Sequence, residues 1–266
     1  MGVNYGFVRC DETTGPILPK RKGKTVRIRI VAPVVATPLV PAVFEQYRAA
    51  ARPGTEMSLA TLDKGPPSIE SRYDEAMAVP DVIAKVVRAE QEGMDAAIID
   101  CMGDPGLDAA REKVSIPVIG PAETSLHVAA MLAHRFSVVT VLDTLIPAFD
   151  HHALRTGLTG RMASVRTVGI PVLELNDHSR LLEALVEQSV IAVKEEGAHL
   201  LILGCTGMAG LVPGLLTGLE RQGIADVPVI DPTVLAVKLS EALVDLRLTH
   251  SKRTYPTPPE KEILGY

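Results

Sequence analysis

The chain has no tryptophan, and aromatic residues make up only 3% of its 266 residues. Proteins that hold single-stranded nucleic acid stack bases on aromatic side chains, and few are present here. A basic excess is also missing. Lys and Arg number 27 against 32 Asp and Glu, for a net charge of −5, so the positive footprint that a phosphate backbone requires is absent and no nucleic-acid partner is expected. Lys20, Arg21, Lys22 and Lys24 cluster in a polar leader and read as a solvated segment. No apolar run reaches the length of a membrane span, and residues 1–24 hold no apolar signal core. The chain therefore reads as cytoplasmic, with no membrane partner. Cysteine is scarce too: three residues, an odd number, fit a reducing compartment and argue against a disulfide framework.

Other absences narrow the chemistry. No Cys-x-x-Cys or His-x-x-x-His spacing occurs, so no metal is expected, and His151-His152 reads as a solvated pair at a helix start. Gly204-Cys-Thr-Gly-Met-Ala-Gly210 lacks both dinucleotide-fingerprint spacing and a phosphate-loop Lys-Ser/Thr ending. Nothing in the sequence asks for a cofactor.

What is present is an alternation of short apolar runs with helical stretches, the pattern of a parallel sheet covered by helices on both faces. The expected strands are 27–31, 56–60, 96–99, 118–119, 136–142, 163–167, 200–203 and 229–230. The clearest helices are 81–92 and 179–196, each stopped by a glycine, Gly93 and Gly197, suited to a left-handed cap.

The pattern occurs twice. Glu92-Gly93 and Glu196-Gly197 each precede a strand. The strands run to Cys101 and Cys205, each followed two residues later by a glycine, Gly103 and Gly207, and then by Gly106-Leu107 and Gly210-Leu211, all at one constant offset. Ile116-Pro-Val-Ile-Gly-Pro121 echoes Val227-Pro-Val-Ile-Asp-Pro232 at a slightly larger shift. The expectation is an α/β fold of two pseudo-symmetric lobes, each a mainly parallel sheet flanked by helices, with the site in the cleft between them. Residues 1–24 form an extension and 25–120 the first lobe, completed by a helix at 231–248. Residues 121–230 form the second lobe and 249–266 a tail. Both terminal segments read as poorly ordered arms or as arms for a neighbouring subunit.

Ligands of parallel sheets bind beyond the strands' carboxyl ends, where Cys101 and Cys205 both stand. Two lobes facing each other bring the thiols to opposite sides of one substrate. Inverting a stereocentre needs that arrangement: one group removes a proton from one face while another delivers a proton to the other. Thiols suit the task because a perturbed thiol ionises near neutrality. Asp104 and Pro105 look like an N-cap and first helical residue, and Thr206-Gly207-Met208 likewise opens a helix, so helix-start amides stand ready for a thiolate or an enolate oxygen. A lone strand-end cysteine is more often inert filling, and the symmetric placement is what turns the balance. Cys10, in the leader, has no counterpart and reads as incidental.

Cys101-Met-Gly-Asp-Pro-Gly-Leu107 with Ile116-Pro-Val-Ile-Gly120, and Leu203-Gly-Cys-Thr-Gly-Met208, resemble the two signature regions of the aspartate/glutamate/hydantoin racemase superfamily, nearest its hydantoin and allantoin branch. Gly65-Pro-Pro-Ser-Ile-Glu-Ser71 with Asp74-Glu75-Ala76 resembles that branch's loop after the second strand. The resemblance implies a cofactor-independent racemase acting on a small molecule, with Cys101 and Cys205 as the acid/base pair. It further implies amides from Met102, Gly103, Thr206 and Gly207 around the substrate, Ser68, Ile69 and Thr140 along the cleft, and an even-numbered homo-oligomer. At the first strand's end the branch carries Asn-Pro-Asn; here Ala32-Pro33-Val34 takes its place, so Pro33 and Val34 present a less polar wall. Glutamate racemases place an Asp at that strand end and a His two residues after the second cysteine, where this chain has Ala32 and Gly207, which disfavours a free α-amino acid. A maleate-type cis–trans isomerase and a non-catalytic binding protein on the same scaffold are the alternatives. Two reactive thiols kept without chemistry would invite oxidation, which weighs against the second.

Overall fold

A computed structural model describes residues 25–262; the leader with Cys10 and the basic cluster, and residues 263–266, lie outside the described residues. The first sheet is built from β1 (Val26–Val31), β2 (Thr55–Ala60), β3 (Ala96–Ile99) and β4 (Val118–Ile119). The second is built from β5 (Phe136–Thr140), β6 (Met162–Thr167), β7 (Leu201–Leu203) and β8 (Val229–Ile230). Their orders, β2-β1-β3-β4 and β6-β5-β7-β8, are the same topology used twice, and every pairing is parallel. The helices are α1 (Leu39–Ala50), α2 (Arg72–Gln91), α3 (Leu107–Lys113), α4 (Pro121–Leu132), α5 (Ile146–Arg155), α6 (His178–Lys194), α7 (Val212–Arg221) and α8 (Pro232–Leu246).

The all-apolar central strands follow from two-sided burial. In β3, Ala96 and Ile98 join the cluster that holds Tyr47 of α1 and Ala236 and Val237 of α8, while Ala97 and Ile99 join the one that holds Val82 and Val86 of α2. Alternate residues of a strand point to opposite faces, so no position is left for a polar side chain. The helices after the two short strands cross over: α8 packs on the first sheet, and Ala122, Leu126 and Ala129 of α4 pack with Phe136 and Val138 of the second. The two helices also pack on each other, which joins the lobes.

Two features differ from the sequence reading. Helix α2 begins at Arg72 instead of 81, capped by Ser71, whose Oγ accepts from the Asp74 N–H at 3.2 Å. Pro80 lies inside α2, where it removes one helical hydrogen bond, yet Ala78, Val82, Val86 and Ala89 remain buried on one stripe, and that packing carries the helix through. The tail, expected as a loose arm, is docked on its own chain as far as Tyr255. Lys252 Nζ donates to the carbonyls of Arg111, Glu112 and Val114 at 2.8, 3.0 and 2.7 Å, supplying donors to the otherwise orphaned end of α3. His250 Nε2 accepts from Val118 N–H at 2.9 Å, and the Arg111 guanidinium lies 5.5 Å from the Tyr255 ring centre.

Close approach of β7 to β5 generates a test. A Cβ at Gly204 would come within 2.8 Å of the Thr140 Cα, a backbone neighbour that cannot swing aside. Gly204→Ala is expected to lower stability by about 1–3 kcal/mol, the usual cost of overpacking, read as a drop in the denaturation midpoint. An unchanged midpoint would show that the sheet yields there.

Candidate active site

Each cysteine stands two residues beyond the end of its strand. Asp100 N–H donates to Val31 C=O at 2.9 Å and Gly204 N–H to Val139 C=O at 2.8 Å, so both loops leave their strands at the same place. The Gly103 N–H donates to Cys101 Sγ at 3.3 Å and the Gly207 N–H to Cys205 Sγ at 3.4 Å. Cys205 is the cap of a one-turn 3-10 helix, Thr206–Met208. The Cys101 loop differs. Asp104, expected to cap α3, adopts a left-handed φ of 47°, and α3 starts only at Leu107 behind Gly106. The Asp104 carboxylate instead accepts from Ala122 and Glu123 N–H at 3.1 and 2.8 Å, capping α4 and fastening the Cys101 loop to the helix that packs on the other lobe.

The two loops face one cavity of about 80 Å³ between the lobes. It is lined by both cysteines and by Pro33, Val34, Ile69, Met102, Gly103, Thr206 and Gly207. Ser68 and Thr140 are not among the lining residues. Pro67 and Ile69 line the cavity, and Ser68 between them does not; Thr140 is buried and donates its hydroxyl to the Gly204 carbonyl at 3.0 Å, a structural bond under the second cysteine loop. The Glu70 carboxylate accepts from Val172 N–H at 2.8 Å, and its carbonyl accepts from the Thr144 hydroxyl at 2.7 Å, so the loop after β2 roofs the cleft by binding the opposite lobe.

Besides the cysteines, the polar side chains on the cavity wall are Thr37, Glu75, Asp100 and Thr206; the rest is apolar or glycine. Sequence reasoning passed over Asp100, although its place directly before a candidate cysteine is a usable signal, and took Glu75 only as part of a family-like loop. Asp100 accepts from the Tyr47 hydroxyl at 2.8 Å and is hydrogen-bonded by Thr206, which links the two cysteine loops across the cleft. Burial raises its carboxyl to about 6 against those two hydrogen bonds. Among the described residues no group of three or more His, Cys, Asp and Glu could hold a metal ion, and no helix is long and apolar enough to cross a membrane.

Both thiols are harder to ionise than the sequence reading supposed. Burial pushes Cys205 up to about 12 and Cys101 well above the usual thiol value, and the backbone amides of Gly207 and Met208 at Cys205 and of Gly103 at Cys101 only partly oppose it. In the unliganded cavity the pair is therefore held as thiols around neutrality. His152, expected in solvent, is 4% exposed inside α5, and burial lowers it to about 4, so it is a neutral ring packed by the Gly103 backbone.

A family-wide sequence profile described as Asp/Glu/Hydantoin racemase matches residues 28–240. The hydantoin racemase of Pseudomonas sp. (strain NS671) is 38% identical over 242 residues, covering 90% of this chain and 95% of that protein. Allantoin racemase from Klebsiella pneumoniae superposes with a TM-score of 0.83 at 38% identity, over 90% of this chain and 96% of that one. Allantoin racemase from Pseudomonas fluorescens gives 0.82 at 36% identity, over 90% and 100%.

Two measurements check these electrostatics. In a Cys10→Ser background, thiolate ultraviolet absorbance should be absent around neutral pH and appear only as pH rises toward about 12; a thiolate signal at neutrality would contradict the burial effect. His152 and His250 both sit near 4 in the fold, below the ordinary histidine value of 6.5, so the unfolded chain binds more protons at these two sites in that window. The two histidines therefore subtract stability as pH drops from about 6.5 to about 4, while the Asp100 and Asp104 carboxyls, raised to about 6 and about 7, add it over much of the same window. The check is thus the difference between two proteins: His152→Gln should lose less stability, or gain more, on acidification than the wild-type protein. Equal slopes for the two proteins would remove His152 from the account.

Proposed function

This chain belongs to the Asp/Glu/hydantoin racemase family and is an isomerase of the racemase kind, and on that premise we propose that it inverts the stereocentre of a five-membered cyclic ureide by proton transfer between Cys101 and Cys205, without a cofactor. The single observation that carries the proposal is that both thiols line one cavity between the lobes, each just beyond the end of an equivalent strand and each under a glycine amide.

The chemistry follows from the ring. In a hydantoin the stereocentre's C–H lies beside a carbonyl and a ring nitrogen, so its removal gives an enolate. One sulfur, as thiolate, takes that proton, and the other, as thiol, delivers its own proton to the opposite face. The negative charge then rests on the second sulfur. The amides of Met102, Gly103, Thr206 and Gly207 stand where charge develops and receive it without reorganisation. The weak acidity of the two buried thiols fits a base that forms only when substrate fills the cavity and its N–H groups replace lost water. Allantoin is a hydantoin with a ureido substituent, so the relatives' two substrates share one ring. The apolar wall at Pro33, Val34 and Ile69 suits the face of such a ring better than a free amino acid's two charges.

The test is racemisation of single-enantiomer hydantoins and allantoin, followed by optical rotation. Either Cys101→Ser or Cys205→Ser should lower turnover by at least about 10²-fold, because a serine hydroxyl is far too weak an acid to serve. In heavy water each variant should still exchange deuterium into one enantiomer with retained configuration, and the two variants should choose opposite enantiomers. If both exchange the same enantiomer, or either racemises at the wild-type rate, the two-base reading is wrong.

A further inference from the structure

The two halves of the site are close twins in sequence, yet their surroundings differ at one matched point. Gly103 and Gly207 occupy equivalent positions, each donating its N–H to the sulfur beside it. A Cβ on Gly103 would come within 2.4 Å of Glu75 Oε1, and a Cβ on Gly207 within 2.7 Å of Leu175 Cδ1. A carboxyl oxygen therefore abuts the glycine that serves Cys101, where a leucine methyl abuts the one that serves Cys205. Both side chains come from the segment that follows the second strand of their own sheet, so the difference is a local break in the two-fold pattern.

Glu75 is built into this place. It is 6% exposed, and it lines the cavity. Its Oε2 accepts from Arg72 at 2.6 Å, while Oε1 is buried with no hydrogen-bond partner. A buried carboxyl oxygen left unpaired destabilises the fold, so packing alone explains its presence poorly. The side cavity on the far side of Gly103 is lined by Glu75, Arg72, His152 and Arg155, which places the carboxyl between that cavity and the cleft.

The geometry points to Glu75 as the residue that makes the pair unequal: we infer that when the two thiols share one negative charge, Glu75 keeps it off Cys101 and places it on Cys205. The inference rests on the two-cysteine reading given above and assigns the roles that reading leaves open. Cys205 is then the base of the resting site and Cys101 the acid, and the reaction in the reverse direction starts from the less favoured ionisation state. Other groups act on both sides: Asp100 bears on both thiols and Glu70 on Cys205, but the atoms nearest Gly207 are apolar carbons and the sulfur, where a carboxyl oxygen abuts Gly103, and a second amide, from Met208, favours charge on Cys205. Arg72 offsets part of the Glu75 charge and burial, which raises the Glu75 carboxyl, also works against it, so the effect on Cys101 grows as pH rises and Glu75 ionises; His152 behind Gly103 is neutral and adds no opposing charge. Glu75 is among the charges that raise Cys101, in agreement with the geometry.

Because enantiomers are equal in free energy, kcat/KM must be the same in both directions, so the asymmetry has to be read on the thiols themselves. The experiment is alkylation of the intact, unliganded protein by iodoacetamide across an alkaline pH series, with the rate at each cysteine followed by peptide mass spectrometry. Cys205 should be modified first in the wild-type protein. In Glu75→Gln, which keeps shape and removes charge, the pH midpoint for Cys101 should fall by about one unit, a tenfold gain in rate below the midpoint, while that for Cys205 moves less. A merely steric role for Glu75 would change rates without moving the midpoint. Faster modification of Cys101 in the wild-type protein, or a Cys101 midpoint untouched by Glu75→Gln, overturns the proposal. The measurement needs no substrate, so a failed racemisation assay and a failed assignment of charge remain distinguishable.

Discussion

A sulfur removed from water resists ionisation, and the rest of this molecule depends on how two such sulfurs are managed at once. Burial raises both thiols, and the structure answers with backbone amides, the Gly103 N–H on Cys101 at 3.3 Å and the Gly207 N–H on Cys205 at 3.4 Å, the latter joined by Met208. An amide is a fixed dipole that adds no titrating group of its own, and it can stabilise a thiolate without competing for the proton. Placing that amide requires a loop that turns straight back on the cysteine, which is where glycine is needed: a side chain on Gly103 would meet Glu75, and one on Gly207 would meet Leu175.

The fold serves this arrangement by using one topology twice. Identical strand orders place both cysteine loops at the carboxyl ends of their sheets, and the crossed helices α4 and α8 tie each lobe to the other. Asp104 adds a direct strap, since the residue three places after Cys101 caps α4. Asp100 with Thr206 provides a second link on the cavity floor, and Glu70 a third on its roof. The separation of the thiols is thereby held by the lobe interface, and a reaction that needs two groups on opposite faces of one carbon benefits from that rigidity.

What could be read from the sequence was what local pattern controls. Strands β3, β4 and β8 lie where apolar runs bounded by turn residues put them, and Gly93 and Gly197 have the left-handed φ of 76° and 73° that a helix stop requires. The internal repeat led to the two cysteine loops because it preserves their spacing. What escaped depends on contacts distant in sequence. Pro80 masked the first turns of α2, whose continuity comes from packing. Asp104 caps a helix seventeen residues on instead of the next one, and nothing local distinguishes the two. His152 is buried because α5 lays it against the Gly103 loop, and Thr140 turns under Gly204 instead of into the cleft. The tail docks because α3 ends with carbonyls in need of donors, a demand visible only once α3 and Lys252 are neighbours.

The central claim is that two sulfurs, one on each face, exchange protons with one carbon. Its most direct test is the isotope pattern at low conversion in heavy water, starting from a single enantiomer of a turned-over hydantoin with the wild-type protein. Two bases take protium from one face and supply solvent-derived deuterium to the other. The account predicts product that carries deuterium at the stereocentre while the remaining substrate stays unlabelled. Product that retains the original hydrogen would show one group carrying the proton across both faces, and would contradict it.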